Sequence, residues 1–355
     1  MNQHGQINLE TISTSRKVAF LEDRKNYPEN PARIETKETH MSYLFLTPLF
    51  VYKLKKPVKV NTIDFTTPDA RKFNCNEEVR LNKSLAPDVY IGVVALKLKN
   101  DQLCFDAEGV TIDWLVKMQR LDENSMLDRA IAMDTIDPEL LEKAAVKLAL
   151  FYKEAPAVDM DPKEYRKKLE ERITINHREL MDPDFELPKD LLRKVYKRQL
   201  LFLNSKAGIF DQRLKEGRVI EAHGDLKPEH ICLRKDPVII DRLEFSKELR
   251  IQDCAQELAF LAVECELQGS EETGAIFFGK YEELTNDYIP VSLKNFYKSK
   301  QAALRTKFAI WHLKEPQYRE DEKWIKKAHK SLALSKKYAE LLNLNMANEP
   351  ENNNV

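Results

Sequence analysis

Residues 223–230 read HGDLKPEH and are followed by the apolar run ICL. Two histidines, an aspartate and a lysine thus stand together just before a β-like segment. A second carboxylate, Asp241, ends the apolar stretch VIID. Moving a phosphoryl group from a nucleotide requires little covalent chemistry of a protein; it requires positioning and neutralisation of charge. One carboxylate must accept or orient the proton of an acceptor hydroxyl, and a nearby lysine can offset charge on the moving group. A second carboxylate must hold Mg²⁺, with a further ligand shortly after the base. Asp225, Lys227, Asp241 and His230 fit these posts in that order. His230 is the discordant member, because Mg²⁺ prefers oxygen ligands to imidazole. Two other readings compete. His223, Asp225 and His230 are acceptable zinc ligands, but the chain has no HExxH and no second His/Asp cluster to complete a hydrolase site. Glycine, aspartate and proline also favour an ordinary polar turn. The spacing to Asp241 and the flanking β-like pieces weigh against that.

Elements on both sides must position these residues. MSYLFLT (41–47) and LFVYKLKK (49–56) are strand-like runs meeting around Pro48, a hairpin pattern. CNEEVRLNKSLAP (75–87) has helical spacing and stops at Pro87. Residues 89–98, 102–108 and 113–121 read as further strands. Beyond about 125 the pattern turns helical: residues 138–155 carry an apolar stripe at 140, 141, 144, 148 and 151. Helical spacing recurs at 162–180, 188–217, 251–268, 292–314 and 320–343. VIEAHGD and PVIIDRLEF are short β-like pieces around the central motif. The expected architecture is α+β, with a small β-rich N-lobe (31–121) and a large α-helical C-lobe (122–343). Residues 1–30 read as a tail with one short helix near VAFLED, and 344–355 as a disordered tail.

Composition narrows the function classes. Lys and Arg total 57 against 58 Asp and Glu, a formal net charge of −1. No basic footprint for nucleic acid follows from that. The longest apolar runs, such as LAFLAV at 258–263, are too short to span a bilayer. The N-terminal segment lacks the apolar h-region of a secretory signal. The 5 cysteines include no close pair, as expected of reduced thiols in a cytoplasmic protein.

HGDLKPEH is similar to the HRDLKPEN catalytic loop of eukaryotic protein kinases, and its His-Gly-Asp opening is closer to the aminoglycoside phosphotransferase and choline kinase branch. ETHMSYLFLT, VYKLKKPV, LNKSLAPDVYIGVV, HGDLKPEHICL and IIDRLEF together resemble the uncharacterised bacterial branch of the aminoglycoside phosphotransferase family. The likeness covers roughly residues 18–343. It implies a two-lobed protein-kinase-like fold and ATP- and Mg²⁺-dependent transfer to a hydroxyl of a small molecule. By the same resemblance Asp225 is the catalytic base and Asp241 the metal-binding aspartate. Lys53, with Lys55 as rival, grips the α and β phosphates. Glu78, with Glu77 as rival, pairs with that lysine, and Met118, Gln119, Arg120 and Leu121 form the adenine-binding hinge. The sequence departs from the family pattern where His230 replaces the usual Asn. It departs again at KETHMS (37–42), where a phosphate-covering loop would carry glycines and none is present. These departures raise an alternative, a nucleotide-binding pseudokinase acting as scaffold or sensor.

Blander readings remain open at single positions. Lys53 and Lys55 fit the solvent face of a half-exposed strand, and Glu78 fits a solvated helix face. Asp253 fits a helix cap, and His40 and His312 fit structural roles. The acceptor is not legible: residues 125–220 mix both signs of charge. Neither a nucleic-acid nor a membrane partner is expected.

Overall fold

The computed structural model describes residues 12–60, 63–105, 108–315 and 321–342. The expected disordered tail at 344–355 lies outside the described residues. The chain divides into two compact units. The first comprises Met1–Met126 with Val238–Lys247, and the second comprises Leu127–Pro237 with Glu248–Val355.

The first unit is built on an antiparallel sheet. Its strands are β1 (Glu35–Glu38), β2 (Ser42–Leu46), β3 (Phe50–Lys55), β6 (Tyr90–Lys99), β7 (Gln102–Cys104) and β8 (Val110–Gln119). A minor two-stranded ribbon consists of β4 (Lys59–Val60) and β5 (Ile63–Asp64). The sheet order is β1-β2-β3-β8-β6-β7, which places β3 between β2 and β8. Strand alternation gives β3 two faces. Tyr52 and Leu54 join a core with Phe45, Leu96 and Leu115, while Lys53 and Lys55 point the other way. Helix α1 (Thr14–Glu22) is not a loose tail: Leu21 is fully buried in that core. Its Lys17 Nζ donates to Asp113 Oδ2 at 2.7 Å. Arg71 of helix α2 (Pro68–Asn82) grips the same Asp113 with Nε at 2.7 Å and Nη2 at 2.9 Å. One buried carboxylate of β8 therefore ties two helices to the sheet.

Helix α2 starts well before the expected residue 75. Thr67 caps it by accepting from the Ala70 N–H, and Pro68 takes the first helical position, where its missing N–H costs nothing. The early turns carry little apolar periodicity, so spacing alone misses them.

The second unit is mostly helical. Its helices are α3 (Leu127–Met133), α4 (Pro138–Glu154), α5 (Pro162–Leu180), α6 (Lys189–Ser205) and α7 (Ala207–Lys215). After the one-turn α8 (Lys247–Arg250) come α9 (Cys254–Leu267), α10 (Glu271–Thr285), α11 (Val291–Leu313) and α12 (Glu322–Glu340). The run 188–217, read as one helix, is broken at Lys206, whose φ of −113° and ψ of 31° leave the helical basin. Helix α9 is buried from Cys254 through Cys265, so it is the axis of this unit. Short strands β9 (Val219–Glu221) and β12 (Ile251–Asp253) pair antiparallel. They bring the start of the HGDLKPEH loop beside the start of α9. Strand β10 (Ile231–Cys232) lies in this unit, and β11 (Val238–Ile239) belongs to the first. The cysteines are free thiols, all buried except Cys104, which is half-buried. Among the described residues no helix is long and apolar enough to cross a membrane.

Candidate functional site

In the first unit the sheet and α2 enclose a buried charge cluster. Lys53 Nζ lies 2.8 Å from Glu78 Oε1 and 3.2 Å from Asp241 Oδ1. Lys55 Nζ lies 2.5 Å from Glu78 Oε2 and 2.5 Å from Glu244 Oε1. Lys55 is 2% exposed and Glu78 is 0% exposed. The solvent-face reading of these residues is therefore wrong, because α2 covers that side of β3. Both Lys53 and Lys55 pair with Glu78, each taking one of its oxygens. Glu77 points away and pairs with Arg80 at 2.7 Å. Burial works against both lysine charges, yet Asp241, Glu78 and Glu244 hold Lys53 well above its ordinary value. Glu244 and Glu78 do the same for Lys55. Burial would raise Glu78, but the two lysines override it and keep the carboxyl below its usual range.

Asp241 stands at φ +62°, a left-handed conformation uncommon for non-glycine residues and adopted most readily among them by Asn and Asp, and here it is held by tertiary contacts. The constraint is visible. The Asp241 N–H donates to Tyr90 Oη at 3.0 Å. Next to it, the Arg242 N–H donates to Asn82 Oδ1 at 2.8 Å, and Asn82 Nδ2 donates to the Arg242 carbonyl at 3.3 Å. Asn82 lies one helical turn after Glu78, whose carbonyl it also binds at 2.9 Å. One face of α2 thus sets both the lysine pair and the backbone of Asp241. Sequence reasoning missed Asn82, Tyr90 and Glu244. The i,i+4 spacing of Glu78 and Asn82 was the available signal.

Of the expected hinge residues, Met118 and Gln119 end β8, and Arg120 and Leu121 follow it. Met118 is paired with Val51 on one side and Tyr90 on the other. The Gln119 N–H donates to the Val89 carbonyl at 2.8 Å, and the Arg120 N–H to the Leu49 carbonyl at 2.8 Å. These two amides are spent on the sheet. Arg120 Nη1 further donates to the Thr47 carbonyl at 3.1 Å; Leu121 is half-buried. The β1–β2 turn is closed by Thr39, whose hydroxyl donates to the Ser42 carbonyl and accepts from the Ser42 N–H, each at 3.0 Å. Ser42 is buried.

The second unit holds the HGDLKPEH loop. Gly224 sits at φ +93°, which favours glycine over any residue with a Cβ. Lys227 Nζ lies 2.9 Å from Asp225 Oδ2 and 3.5 Å from Glu229 Oε1. Burial opposes the Lys227 charge, but Asp225 and Glu229 hold it above its ordinary value. His230, buried, has Nδ1 2.8 Å from the Asp225 carbonyl. A carbonyl only accepts, so Nδ1 carries a proton. The loop is anchored on α9. Glu257, 1% exposed, accepts from the N–H of His223 at 2.9 Å and of Gly224 at 2.6 Å. It accepts further from Tyr152 Oη and Gln252 Nε2, each at 2.7 Å. Asp253 caps α9 at the Ala255 N–H and takes Arg213 through both oxygens, at 2.9 and 2.6 Å. Its part is structural, as its capping position suggests. Glu264, also on α9, is pushed up to about 7 by burial, although Arg305 is its ion-pair partner.

Donor chemistry tests the expected metal ligands. The Asp241 carboxylate is 43% exposed at its side chain and offers the hard oxygen that Mg²⁺ prefers; His230 offers only nitrogen. Asp241 fits that ion and His230 does not.

No family model matches the chain. An uncharacterized protein of Mycobacterium tuberculosis is 29% identical over 281 residues, 77% of this chain and 54% of that protein. The chain therefore spans about half the length of the curated relatives it matches. A choline/ethanolamine kinase family protein from Mesorhizobium loti superposes with TM-score 0.53 at 13% identity, covering 91% of this chain and 94% of that one. Choline kinase from Cryptosporidium parvum superposes with TM-score 0.55 at 13% identity, covering 91% and 95%. The chain has the kinase-like fold: an antiparallel β-sheet unit and a helical unit, as the resemblance in its motifs implies.

Proposed function

We propose that this chain, with its kinase-like fold, is an ATP- and Mg²⁺-dependent phosphotransferase acting on a hydroxyl of a small molecule. The observation that carries the reading is the Lys53–Glu78–Asp241 arrangement, a strand lysine bound at once to a helix carboxylate and to an aspartate in the left-handed conformation. In this reading Lys53 binds the α and β phosphates. Glu78 fixes its ammonium and Lys55 balances the second Glu78 oxygen. Asp241 would hold Mg²⁺, which when bound neutralises charge on the phosphates. Asp225 orients the acceptor hydroxyl and takes its proton. Lys227, kept charged by Asp225 and Glu229, steadies the transferred phosphoryl group. Glu257 is a positioning residue: it holds the two amides that precede Asp225. Met118–Leu121 supply the adenine edge, through groups other than the Gln119 and Arg120 amides.

A screen of hydroxyl acceptors reading ADP release tests this, with Asp241→Ala as the blank. Asp225→Ala should lower the rate by on the order of 10²–10⁴, the span of a positioned general base. Equal rates for Asp225→Ala and the wild type would end the assignment. His230 in place of an oxygen ligand, and the absence of glycine at 37–42, favour a second reading, a nucleotide-binding pseudokinase. ATP binding without ADP release on any acceptor would select it.

A further inference from the structure

The segment that carries Asp241 meets β3 at more than one point. Lys53 and Lys55 stand two residues apart and share a face of the strand, while Asp241 and Glu244 stand three apart in IIDRLEF. Each lysine holds one carboxylate of the segment. Lys53 Nζ lies 3.2 Å from Asp241 Oδ1, and Lys55 Nζ lies 2.5 Å from Glu244 Oε1. Glu78 stands behind both, with one oxygen on each ammonium.

The two contacts differ in their access to water. The side chains of Lys53 and Asp241 are 15% and 43% exposed, and those of Lys55 and Glu244 are 1% and 9% exposed. The Lys55 ammonium also lies over the ring of the buried Phe65, 5.7 Å from its centre. An ion pair shut off from water is little screened, and removing one partner is costly. The outer pair, in contrast, can exchange partners with a ligand. In the phosphotransferase reading, on which this inference rests, both of its members are needed elsewhere: Lys53 by phosphate and Asp241 by Mg²⁺. Their mutual contact then gives way. The backbone bonds from Asp241 to Tyr90 Oη and from Arg242 to Asn82 Oδ1 remain, but each is a neutral hydrogen bond of modest net strength.

We propose that Glu244 is a positioning residue for the Asp241 site. Through Lys55 it keeps the 241–244 segment on β3 when Lys53 and Asp241 part, so that the Asp241 carboxylate stays in place for a divalent cation. Lys55 is the fixed post and Lys53 the exchangeable one. Glu244 itself touches neither phosphate nor metal in this assignment.

Amide hydrogen exchange at Asp241 and Arg242 reads the segment directly in the ligand-free full chain. Lys53→Met removes the outer pair and imitates its release. Exchange at these two amides should change little in Lys53→Met alone and rise several-fold when Glu244→Gln is added. Glu244→Asp, which keeps the charge, should restore part of the protection. Exchange in the β6–β8 ladder should stay as in the wild type. Unchanged exchange at Asp241 and Arg242 in the double variant overturns the proposal. An equal acceleration in the β6–β8 ladder also overturns it, because a merely structural pair would loosen the whole unit. A second measurement uses Glu244→Gln alone and titrates Mg²⁺ into ATP-saturated protein while following the melting temperature. This variant should need several-fold more Mg²⁺ for the half-maximal shift and keep the shift given by ATP without metal. A Mg²⁺ requirement equal to that of the wild type overturns the positioning role. A wild type that ignores ATP with Mg²⁺ removes the phosphotransferase reading instead, and the exchange at Asp241 and Arg242 still decides whether Glu244 holds the segment.

Discussion

At the scale of single residues, the buried charges of Lys53, Lys55 and Glu78 are matched to one another, whereas the buried Lys300 ammonium is held by the neutral Gln256. Glu78 stands between two lysines, and each of these holds a second carboxylate. Removing its charge leaves two ammonium groups short of a partner in a site without water access to Glu78. Glu78→Gln should therefore cost about 3–5 kcal/mol, the range for breaking a buried pair, read from urea unfolding of the full chain. A loss of about 0–1 kcal/mol, typical of an exposed pair, would contradict the buried arrangement. Burial, with the charges of Arg172 and Lys307 behind it, pushes Lys300 down to about 7 from the ordinary 10.5. Between those values the unfolded chain binds a proton that the folded chain does not, so stability rises with pH across the window and is lost as pH falls through about 7. At pH 7 Lys300→Met should be more stable than wild type, because it removes an ammonium buried without a carboxylate partner. The gap should narrow as pH approaches 10.5. A gap that stays constant across the window would show that Lys300 does not titrate there.

At the scale of elements, two helices do the positioning. Helix α2 presents Glu78 and Asn82 on one face, and that face sets both the lysines of β3 and the left-handed backbone at Asp241. Helix α9 presents Glu257, whose two oxygens collect two loop amides, a tyrosine hydroxyl and a glutamine amide. A neutral amide in its place has one acceptor oxygen and two N–H donors aimed at other donors. Glu257→Gln should lower stability by about 1–3 kcal/mol, the cost of stranding a buried donor. If the loop performs the proposed chemistry, the turnover number should fall while the KM for ATP holds, because the substitution disturbs the Asp225 loop and not the Lys53 cluster. A rise in that KM at unchanged turnover would remove Glu257 from the positioning of the loop.

At the scale of the whole molecule, the Lys53–Glu78 pair and the HGDLKPEH loop belong to different compact units, and the segment carrying Asp241 leaves its sequence neighbours to join the first. Its backbone bonds to Asn82, Tyr90 and Leu85 hold it there. A ligand that binds only the folded chain adds about 2.7 kcal/mol at a hundredfold excess over its Kd. ATP with Mg²⁺ should therefore stabilise the protein to about this extent, and Asp241→Ala should erase the magnesium-dependent part. Stabilisation by ATP that is indifferent to both the metal and Asp241 would exclude a metal role for that residue. The mycobacterial relative extends well beyond the matched region, so substrate and partners are properties to be measured on the longest available chain.

Local pattern was enough for the β-then-α order and for picking out the HGDLKPEH segment and the apolar run that ends at Asp241. Each rests on residues close in sequence, where periodicity, turn chemistry and motif spacing act directly. The amphipathic α4 and the apolar α9 were legible for the same reason. What only the tertiary structure decided is which charges are buried and with whom. Lys53, Lys55 and Glu78 have the composition of a wet surface, and they leave water only because α2 folds over β3. The early turns of α2 were lost to periodicity because they bury an arginine, an asparagine and a glutamate in place of an apolar stripe. Glu257 looks like any helix carboxylate until the chain returns to lay its Gly224 amide on it. A side chain's charge is written in the sequence, but the free energy of that charge depends on solvent exclusion and on partners far along the chain, and those exist only once the chain has closed on itself.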